Sequence, residues 1–319
     1  MQYFRKVLIV ILGLLILLLV LPYFIPLSKP KCVNQLKPYN NSHFCEIEGV
    51  MIHYRIWQES IETESKPWIF LVHGFSATTY SWEKSIEPLT ESGFNVIAVD
   101  VPPFGYSDKN PRLNHSPDNR AVLLWHFLDS VQPNASWNFV GHSMGGGIVT
   151  AMAILQPQRV EKVVLVDPSL FRKLKPERSL GQILVSLHPV ERLFSVLGEI
   201  FFIKTEPVKK LLYTAYQKQP TAEQTEAYLR GLQVPGTARG IVAAFSKAKP
   251  SHKLSIEDFK STAIAIWGDN DTWIPFERMK SITDSLDNVS VHIIENSGHV
   301  PQETDPEIFN SILLSFLLQ

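Results

Sequence analysis

Cysteine is scarce in this chain, which has only Cys32 and Cys45 among its 319 residues. Two cysteines do not make a structural zinc site, and the ten histidines are scattered rather than spaced as metal ligands. We therefore expect the protein to work without a bound metal and without a cofactor.

An excess of charge of either sign is also lacking, because 30 basic and 31 acidic side chains leave a net charge of −1. This balance does not indicate a polyanion-binding surface, and no nucleic-acid-binding motif is present, so we expect no nucleic-acid partner. Repeats and low-complexity tracts are absent as well. With 45% hydrophobic and 19% charged residues, the composition is that of a globular protein long enough to bury a large core.

One long hydrophobic run is present near the N-terminus, at residues 7–27, where 21 positions carry no charge. A helix of this length can cross a hydrocarbon core of about 30 Å, so we predict a membrane anchor over residues 1–27. Arg5 and Lys6 precede the run, as in a cleaved signal peptide, which is the alternative. The length of the run and the lack of a small-x-small cleavage site favour the anchor.

The side of the membrane is indicated only indirectly, because basic residues flank the run on both sides. Cys32 and Cys45 are 13 positions apart and could form a disulfide in an oxidising compartment, with two free thiols as the alternative. We therefore expect a membrane protein with a single N-terminal anchor and a body outside the cytoplasm. Four N-x-S sequons fit this location, and they begin at Asn40, Asn114, Asn134 and Asn288.

The rest of the chain alternates between short apolar runs and amphipathic segments. After a polar linker over residues 28–43, a hairpin is predicted around Glu48 and Gly49. Apolar strands that alternate with helices predict an α/β fold with a mostly parallel sheet covered on both faces. The predicted buried strands are 68–72, 95–100, 137–140, 162–167, 263–268 and 290–295.

One segment, residues 170–258, interrupts this alternation, since it contains helical stretches and no convincing strand. It is too long for a loop within a compact domain. We interpret it as an inserted helical cap, which leaves residues 44–169 and 259–319 as the α/β core.

The motif with the clearest chemistry is "GHSMGG" at residues 141–146, which follows an apolar strand and opens a helix. Gly141 and Gly145 flank Ser143 at two positions on either side, the G-x-S-x-G pattern of a nucleophile elbow. Small neighbours allow the strand to turn sharply into the helix, and the helix N-terminus favours developing negative charge. Ser143 is therefore the candidate nucleophile.

Serine needs a base, and the candidate is His299, in a loop between the last predicted strand and the last helix. His73 and His142 belong to the glycine turns themselves and are expected to be structural. The carboxylate that orients the base should lie between Ser143 and His299 in the chain. Asp271, just after the strand 263–268, is the first choice, and Asp167, which ends an earlier strand, is the alternative.

Acyl transfer also requires donors for the negative oxygen of the tetrahedral intermediate. The backbone N–H of Met144, directly after the nucleophile, is one candidate. The other is the N–H of Phe75, because Gly74 permits a turn at the end of the strand 68–72.

These motifs resemble those of the α/β-hydrolase superfamily, in its form with one core domain and a cap. The resemblance covers residues 44–319, and it implies a triad of Ser143, Asp271 and His299 with oxyanion donors at Phe75 and Met144. The chain departs from the family pattern in having Pro-Pro at 102–103, where Pro-Gly is usual. The matching pieces are "HGF" at 73–75, "DVPPFGYSD" at 100–108, "GHSMGG" at 141–146, "WGDNDTWIP" at 267–275 and "SGHVP" at 297–301.

The activity implied by this resemblance is hydrolysis of carboxylic esters through an acyl-enzyme. The layout of anchor and body is similar to that of membrane-anchored monoacylglycerol lipases, which indicates small-molecule ester or lipid substrates. The same triad also performs hydrolysis of C–C bonds and perhydrolysis of the haloperoxidase type, and some members of such folds only bind ligands. These remain alternatives at the level of sequence.

Overall fold

The N-terminal segment forms a long helix, α1 (Gln2–Val20), which continues as a 3₁₀ turn over Leu21–Phe24. The side chains described for this helix are almost entirely exposed, as expected for a helix that is apolar on all sides. Among the described residues, Gln2–Phe24 is the one helix long and apolar enough to cross a membrane. The computed structural model describes residues 2–28, 38–57, 66–133, 135–175 and 177–319.

The strands of the core are β1 (Ser42–Ile47), β2 (Val50–Trp57), β3 (Trp68–Val72), β4 (Asn95–Val99), β5 (Trp137–His142), β6 (Val160–Val166), β7 (Thr262–Gly268) and β8 (Val289–Ile294). They form one eight-stranded sheet in the order β1-β2-β4-β3-β5-β6-β7-β8. β1 and β2 pair antiparallel through a turn at Glu48 and Gly49, where both residues have positive φ. From β4 to β8 the strands are parallel, so their carboxyl ends meet at one edge of the sheet.

Helices cover both faces of this sheet, which confirms the predicted α/β architecture. The core helices are α2 (Glu83–Glu91), α3 (Pro117–Val131) and α4 (Met144–Leu155), and later α10 (Phe276–Thr283), α11 (Pro301–Thr304) and α12 (Pro306–Leu317). Successive strand residues point to opposite faces. Phe70 and Phe139 therefore join the core with α3 and α4, whereas Leu71 and Val140 join the core with α2 and α12.

Between β6 and β7 the described residues form helices and no strand. These are α5 (Leu180–Ser186), α6 (His188–Leu197), α7 (Thr205–Tyr216), α8 (Ala222–Leu232) and α9 (Thr237–Ser246), with a π turn at Gly198–Phe202 after α6. A single bridge between Lys173 and Ser255 joins the two ends of the insertion. This segment contains the predicted cap. The linker predicted over residues 28–43, before the core, ends earlier than expected, because β1 begins at Ser42.

Of the two cysteines, the structure describes Cys45, which lies half-buried on β1 with its Sγ 3.3 Å from Ser130 Oγ. Cys32 lies outside the described residues, so the Cys32–Cys45 bridge stays a prediction. The sequon residue Asn134 also lies outside them.

Candidate active site

Ser143 occupies a sharp turn between β5 and α4, with φ 51° and ψ −116°. Positive φ is costly for a residue with a side chain, and it persists because surrounding contacts enforce it. The backbone of Ser143 donates from its N–H to Val166 O at 2.8 Å and accepts from the N–H of Ser169 at 2.9 Å. The flanking glycines are required by space. A Cβ on Gly141 would lie 2.5 Å from Gly145 O, and one on Gly145 would lie 2.2 Å from Val72 O.

His299 links the serine to a carboxylate. Its Nε2 lies 2.9 Å from Ser143 Oγ, and its Nδ1 lies 2.7 Å from Asp271 Oδ2. The three side chains come from the turns after β5, β7 and β8, and all three are buried. The structure therefore brings together the three residues predicted from the sequence, 156 and 28 positions apart in the chain.

Asp271 is held as a carboxylate. Burial acts to raise its pKa, but the hydrogen bond from His299 and those from the N–H groups of Trp273 and Ile274 outweigh burial and hold the pKa below its ordinary value. The two backbone bonds reach Oδ1 at 2.8 and 3.0 Å, which leaves Oδ2 for His299. An ionised Asp271 favours a proton on Nδ1, so Nε2 faces Ser143 with its lone pair.

Asp167, the alternative carboxylate, lies deeper, at the end of β6. Its Oδ1 accepts the N–H of Gly268 at 3.0 Å. The carboxyl group that hydrogen-bonds to His299 is that of Asp271, at 2.7 Å, and its catalytic role stays a prediction. Asp167 nevertheless lies close to the triad. One carboxylate oxygen of Asp167, one of Asp271 and one ring nitrogen of His299 all lie within 4.8 Å of one another.

The proposed oxyanion donors belong to the two backbone segments next to the nucleophile, the start of α4 and the loop after β3. Met144 is the first residue of α4, where the backbone N–H groups of a helix are unsatisfied. Phe75 follows Gly74, and a Cβ on Gly74 would lie 2.6 Å from His142 Nδ1 and 3.1 Å from Ser143 Cβ. Glycine at position 74 thus allows the loop after β3 to approach the nucleophile closely. The roles of Phe75 and Met144 as donors stay predictions.

His142 supports the base, consistent with the structural role expected for it. Its Nε2 lies 2.7 Å from the carbonyl oxygen of His299, to which it donates. Burial, with the neighbouring His299 ring, lowers the pKa of His142 to about 3, so its ring is neutral. His73 accepts the N–H of Val101 at 2.9 Å on its Nε2, next to the cis bond between Pro102 and Pro103.

Sequence reasoning missed a buried carboxyl group close to the base. Glu303, in α11, accepts hydrogen bonds from Ser81 Oγ at 2.6 Å, Tyr228 OH at 2.5 Å and Tyr216 OH at 2.5 Å. The two tyrosines belong to the helices α7 and α8. Glu303 therefore connects the inserted helices, through hydrogen bonds, to the segment that carries His299. No sequence motif predicts such a contact.

A cavity of about 400 Å³ extends from the site into the inserted helices. Phe75, Ser76 and Leu211 line both this cavity and the smaller space around Ser143 and His299. The other described residues that line the cavity are apolar, and none of them carries a charge: Val185, Phe194, Gly198, Phe202, Ile203, Pro207, Val208, Leu232, Ala238, Ile241, Val242 and Phe245. Its volume is within the range of small-molecule sites.

The fold and the site correspond to a known class of proteins. A family model of the alpha/beta hydrolase fold matches residues 67–306. The chain belongs to the α/β-hydrolase fold family.

Two relatives and one solved structure illustrate what this chain is similar to. YugF of Bacillus subtilis (strain 168), an uncharacterized hydrolase, is 28% identical over 276 residues, which cover 85% of this chain and 96% of YugF. A 2-hydroxy-6-oxononadienedioate/2-hydroxy-6-oxononatrienedioate hydrolase of Escherichia coli (strain K12) is 25% identical over 292 residues, which cover 86% and 95%. The structure of a bacterial membrane phospholipase A matches with a TM-score of 0.67 and 22% identity, and covers 99% of this chain and 98% of that chain.

Proposed function

We propose that the protein is a serine hydrolase that cleaves carboxylic esters with apolar acyl groups, with Ser143, His299 and Asp271 as its catalytic triad. The observation that carries this proposal is the chain of hydrogen bonds from Ser143 Oγ through His299 to Asp271. Residues 170–258 act as a cap over the core formed by 44–169 and 259–319.

In the proposed reaction, His299 Nε2 takes the proton of the Ser143 hydroxyl as its oxygen attacks the ester carbonyl. The N–H groups of Phe75 and Met144 stabilise the negative oxygen of the tetrahedral intermediate. Asp271 stabilises the imidazolium that forms. His299 then gives its proton to the leaving alcohol. In the second half of the reaction, His299 takes a proton from the water that attacks the acyl-enzyme and then returns this proton to Ser143.

The apolar cavity supports an apolar acyl chain as the group bound next to Ser143. Burying such a chain contributes about 0.8 kcal/mol for each CH₂ group. Lipid esters, including monoacylglycerols, provide this chemistry. Among the described residues, the lining carries no Lys, Arg or Asp side chain that could pair with a charged group on the substrate.

Hydrolysis of a dioate is the second candidate, because a relative at 25% identity carries that name. A dioate has two carboxylates, and burying either of them without a cationic partner is costly. The two candidates are separated by assaying long-chain esters and a 2-hydroxy-6-oxo-dienedioate side by side. Turnover of the dioate alone would favour the second candidate.

We also propose that α1 remains attached as a membrane anchor and that the body lies outside the cytoplasm. The apolar, exposed surface of Gln2–Phe24 supports the anchor. Extraction of membranes with alkaline carbonate tests it, since a cleaved chain is released into the supernatant. Protease digestion of sealed vesicles of known orientation tests the side on which the body lies.

A fluorophosphonate probe tests the triad directly, because it forms a covalent adduct with an activated serine. Labelling is expected on Ser143 and is expected to disappear in Ser143→Ala. Ser169→Ala is the matched control, because Ser169 is an exposed serine three positions beyond the end of β6, and its side chain takes no part in the triad. A folded protein without any adduct on Ser143 would favour a protein that only binds its ligand.

A further inference from the structure

The inserted helices α5, α6 and α9 and the π turn, which contact one another, expose several large apolar side chains. Phe201 and Phe202, in the π turn after α6, are 60% and 66% exposed. Large exposed apolar patches mark interaction sites, because leaving them in water is unfavourable. We refer to these residues together as the apolar cap surface: Leu180, Ile183, Leu184, Leu187, Phe194, Ile200, Phe201, Phe202 and Phe245.

This surface adjoins the end of the membrane-spanning candidate. Tyr23 OH lies 2.5 Å from His188 Nδ1, and Arg192 Nε donates to Pro22 O at 3.1 Å. Ser28 Oγ donates to Glu199 Oε2 at 3.3 Å. These bonds attach the C-terminal end of α1 to α6 and to the π turn, so a bilayer around α1 begins beside the apolar cap surface.

The apolar cap surface is also continuous with the cavity next to Ser143. Phe194, Phe202 and Phe245 line the cavity and are at the same time 46%, 66% and 61% exposed. The cavity therefore reaches the outside of the protein among apolar side chains, on the side where α1 is attached.

We propose that the apolar cap surface rests in the bilayer that holds α1, and that an acyl chain enters the cavity directly from the lipid. The partner is the lipid surface itself, in the manner of amphipathic elements that insert into the interfacial region. The attachment of α1 favours the bilayer over a second copy of this chain as the occupant. Entry of an acyl chain rests on the proposed function, whereas docking on lipid does not.

Docking is tested without turnover by tryptophan fluorescence in the full chain, reconstituted in phosphatidylcholine vesicles. Phe201→Trp is compared with Ile308→Trp, whose site is 54% exposed and belongs to α12, a helix that packs on the sheet and not among the inserted helices. The seven native tryptophans give both variants the same background. Phosphatidylcholine with brominated acyl chains is expected to quench the added signal of Phe201→Trp only. Equal quenching in both variants, or quenching in neither, overturns the proposal. A Phe201→Trp fluorescence that does not respond to the brominated lipid but changes with the number of protein molecules per vesicle also overturns it, because a second copy of the chain then covers the surface.

Entry from lipid is tested with the double variant Leu184→Asp, Phe201→Asp, because neither residue lines the cavity. Hydrolysis of a long-chain ester in vesicles is expected to fall about tenfold or more, since two charges weaken insertion. Hydrolysis of dissolved 4-nitrophenyl butyrate is expected to stay near the parent rate. Unchanged hydrolysis in vesicles overturns entry from lipid, and so does an equal loss on both substrates. A parent protein that hydrolyses neither ester contradicts the proposed function, while the fluorescence measurement still decides docking.

A second inference comes from the carboxyl group of Asp167, which the triad does not use. Asp167 is fully buried with φ 41°, and its Oδ2 has no hydrogen-bond partner among the described residues. The groups that face it are the N–H of Gly268 and the side chains of Asp271 and His299. Burial raises the pKa of Asp167 well above its ordinary value, and the negative charge of Asp271 raises it further.

Two buried carboxyl groups this close cannot both be ionised at low cost. Asp271 receives three hydrogen bonds to its charged form, whereas Asp167 receives one. The proton shared by this pair is therefore held by Asp167. We infer that Asp167 is a positioning residue that stays protonated and directs its hydroxyl towards the carboxylate of Asp271.

The test is Asp167→Asn, because an amide has the shape and the donor of a protonated carboxyl group. The acid limb of the pH profile of kcat/KM is expected to stay in place, and kcat to remain within about threefold of the parent. Asp167→Ala is expected to lose more activity, so that Asn acts as the rescuing variant. Asp269→Asn is the control, because Asp269 is an exposed aspartate in the turn after β7 that carries Asp271.

If Asp167 is ionised in the working enzyme, its replacement removes a negative charge near His299. The acid limb then moves to lower pH by about one unit or more, which overturns the inference. Equal activity in Asp167→Asn and Asp167→Ala also contradicts it. The Asn variant decides the question even where the Ala variant does not fold.

Discussion

The Tyr216 hydroxyl donates a hydrogen bond to Glu303 Oε2 at 2.5 Å, and this bond joins the end of α7 to α11, which follows His299. The backbone shows the same connection, since the N–H of His299 donates to Ala215 O at 2.7 Å. The position of the catalytic base thus depends on the inserted helices as well as on the sheet. Five predictions rest on the geometry of the site and its cavity.

Tyr216→Phe is expected to lower the free energy of unfolding by about 1–3 kcal/mol, because it removes a donor from a buried carboxyl group. It is also expected to lower kcat, since the turn of His299 loses an attachment. Tyr213→Phe is the control, because Tyr213 lies on the same helix and is exposed. Urea unfolding of the solubilised chain and ester hydrolysis measure the two effects. Equal stability of the two variants would contradict the structural role of this bond.

Glu303 is expected to make the free energy of unfolding fall as pH rises. Burial raises its pKa above the ordinary 4.5, although its three hydroxyl donors oppose this. The folded state therefore binds the proton more tightly than the unfolded chain, and this contribution to stability is lost as pH rises from 4.5 through the raised pKa. Glu303→Gln lacks the titration, so its stability relative to the parent is expected to increase across that window. A relative stability that is constant from pH 4.5 to pH 8 would count against this assignment.

Asp271→Asn is expected to lower kcat by about 10⁴, because an amide no longer favours the proton on His299 Nδ1. The backbone N–H groups of Trp273 and Ile274 can still bond to the amide oxygen, so the fold is expected to persist. Asp269→Asn provides a control of the same chemistry two positions away, and it should retain the parent rate. Stopped assays with a dissolved ester measure both, and comparable losses in the two variants would refute the role of Asp271.

Ser143→Gly is expected to be more stable than Ser143→Ala by about 1 kcal/mol, since glycine accepts positive φ without strain. Both variants are expected to be inactive and to lack the fluorophosphonate adduct. Their difference in urea midpoint therefore reports backbone strain separately from catalysis. If alanine is the more stable replacement, the turn at 143 is not strained.

Val242→Phe is expected to reduce the preference for long acyl chains, because Val242 lines the cavity and a larger side chain fills part of it. The ratio of kcat/KM for a dodecanoyl ester to that for a butyryl ester should fall about tenfold or more. Ala244→Phe, on the same helix and outside the lining, is the matched control. A ratio that does not move would show that the acyl chain binds elsewhere.

Much of the core could be predicted because its information is local. Runs such as "WIFLV" at 68–72 are apolar throughout, which is typical of a strand buried on both faces. Gly141 and Gly145 around Ser143 mark a turn that space alone requires. The structure confirms the mostly parallel sheet and brings Ser143, His299 and Asp271 together, although the catalytic use of these residues stays a proposal.

Local sequence is enough to predict most strands and helices and the positions of the candidate catalytic residues along them. The reason is that hydrophobic periodicity and turn residues are properties of neighbouring positions. Local patterns place Asp271 and Asp167 after neighbouring strands, with Asp271 as the first choice, but only the packing of the loops brings the Asp271 carboxylate within 2.7 Å of His299 Nδ1. Tertiary packing also brings Glu303 to two tyrosines of the inserted helices and attaches the segment after α1 to α6. Those relationships depend on packing between segments far apart in the chain, which no local pattern encodes.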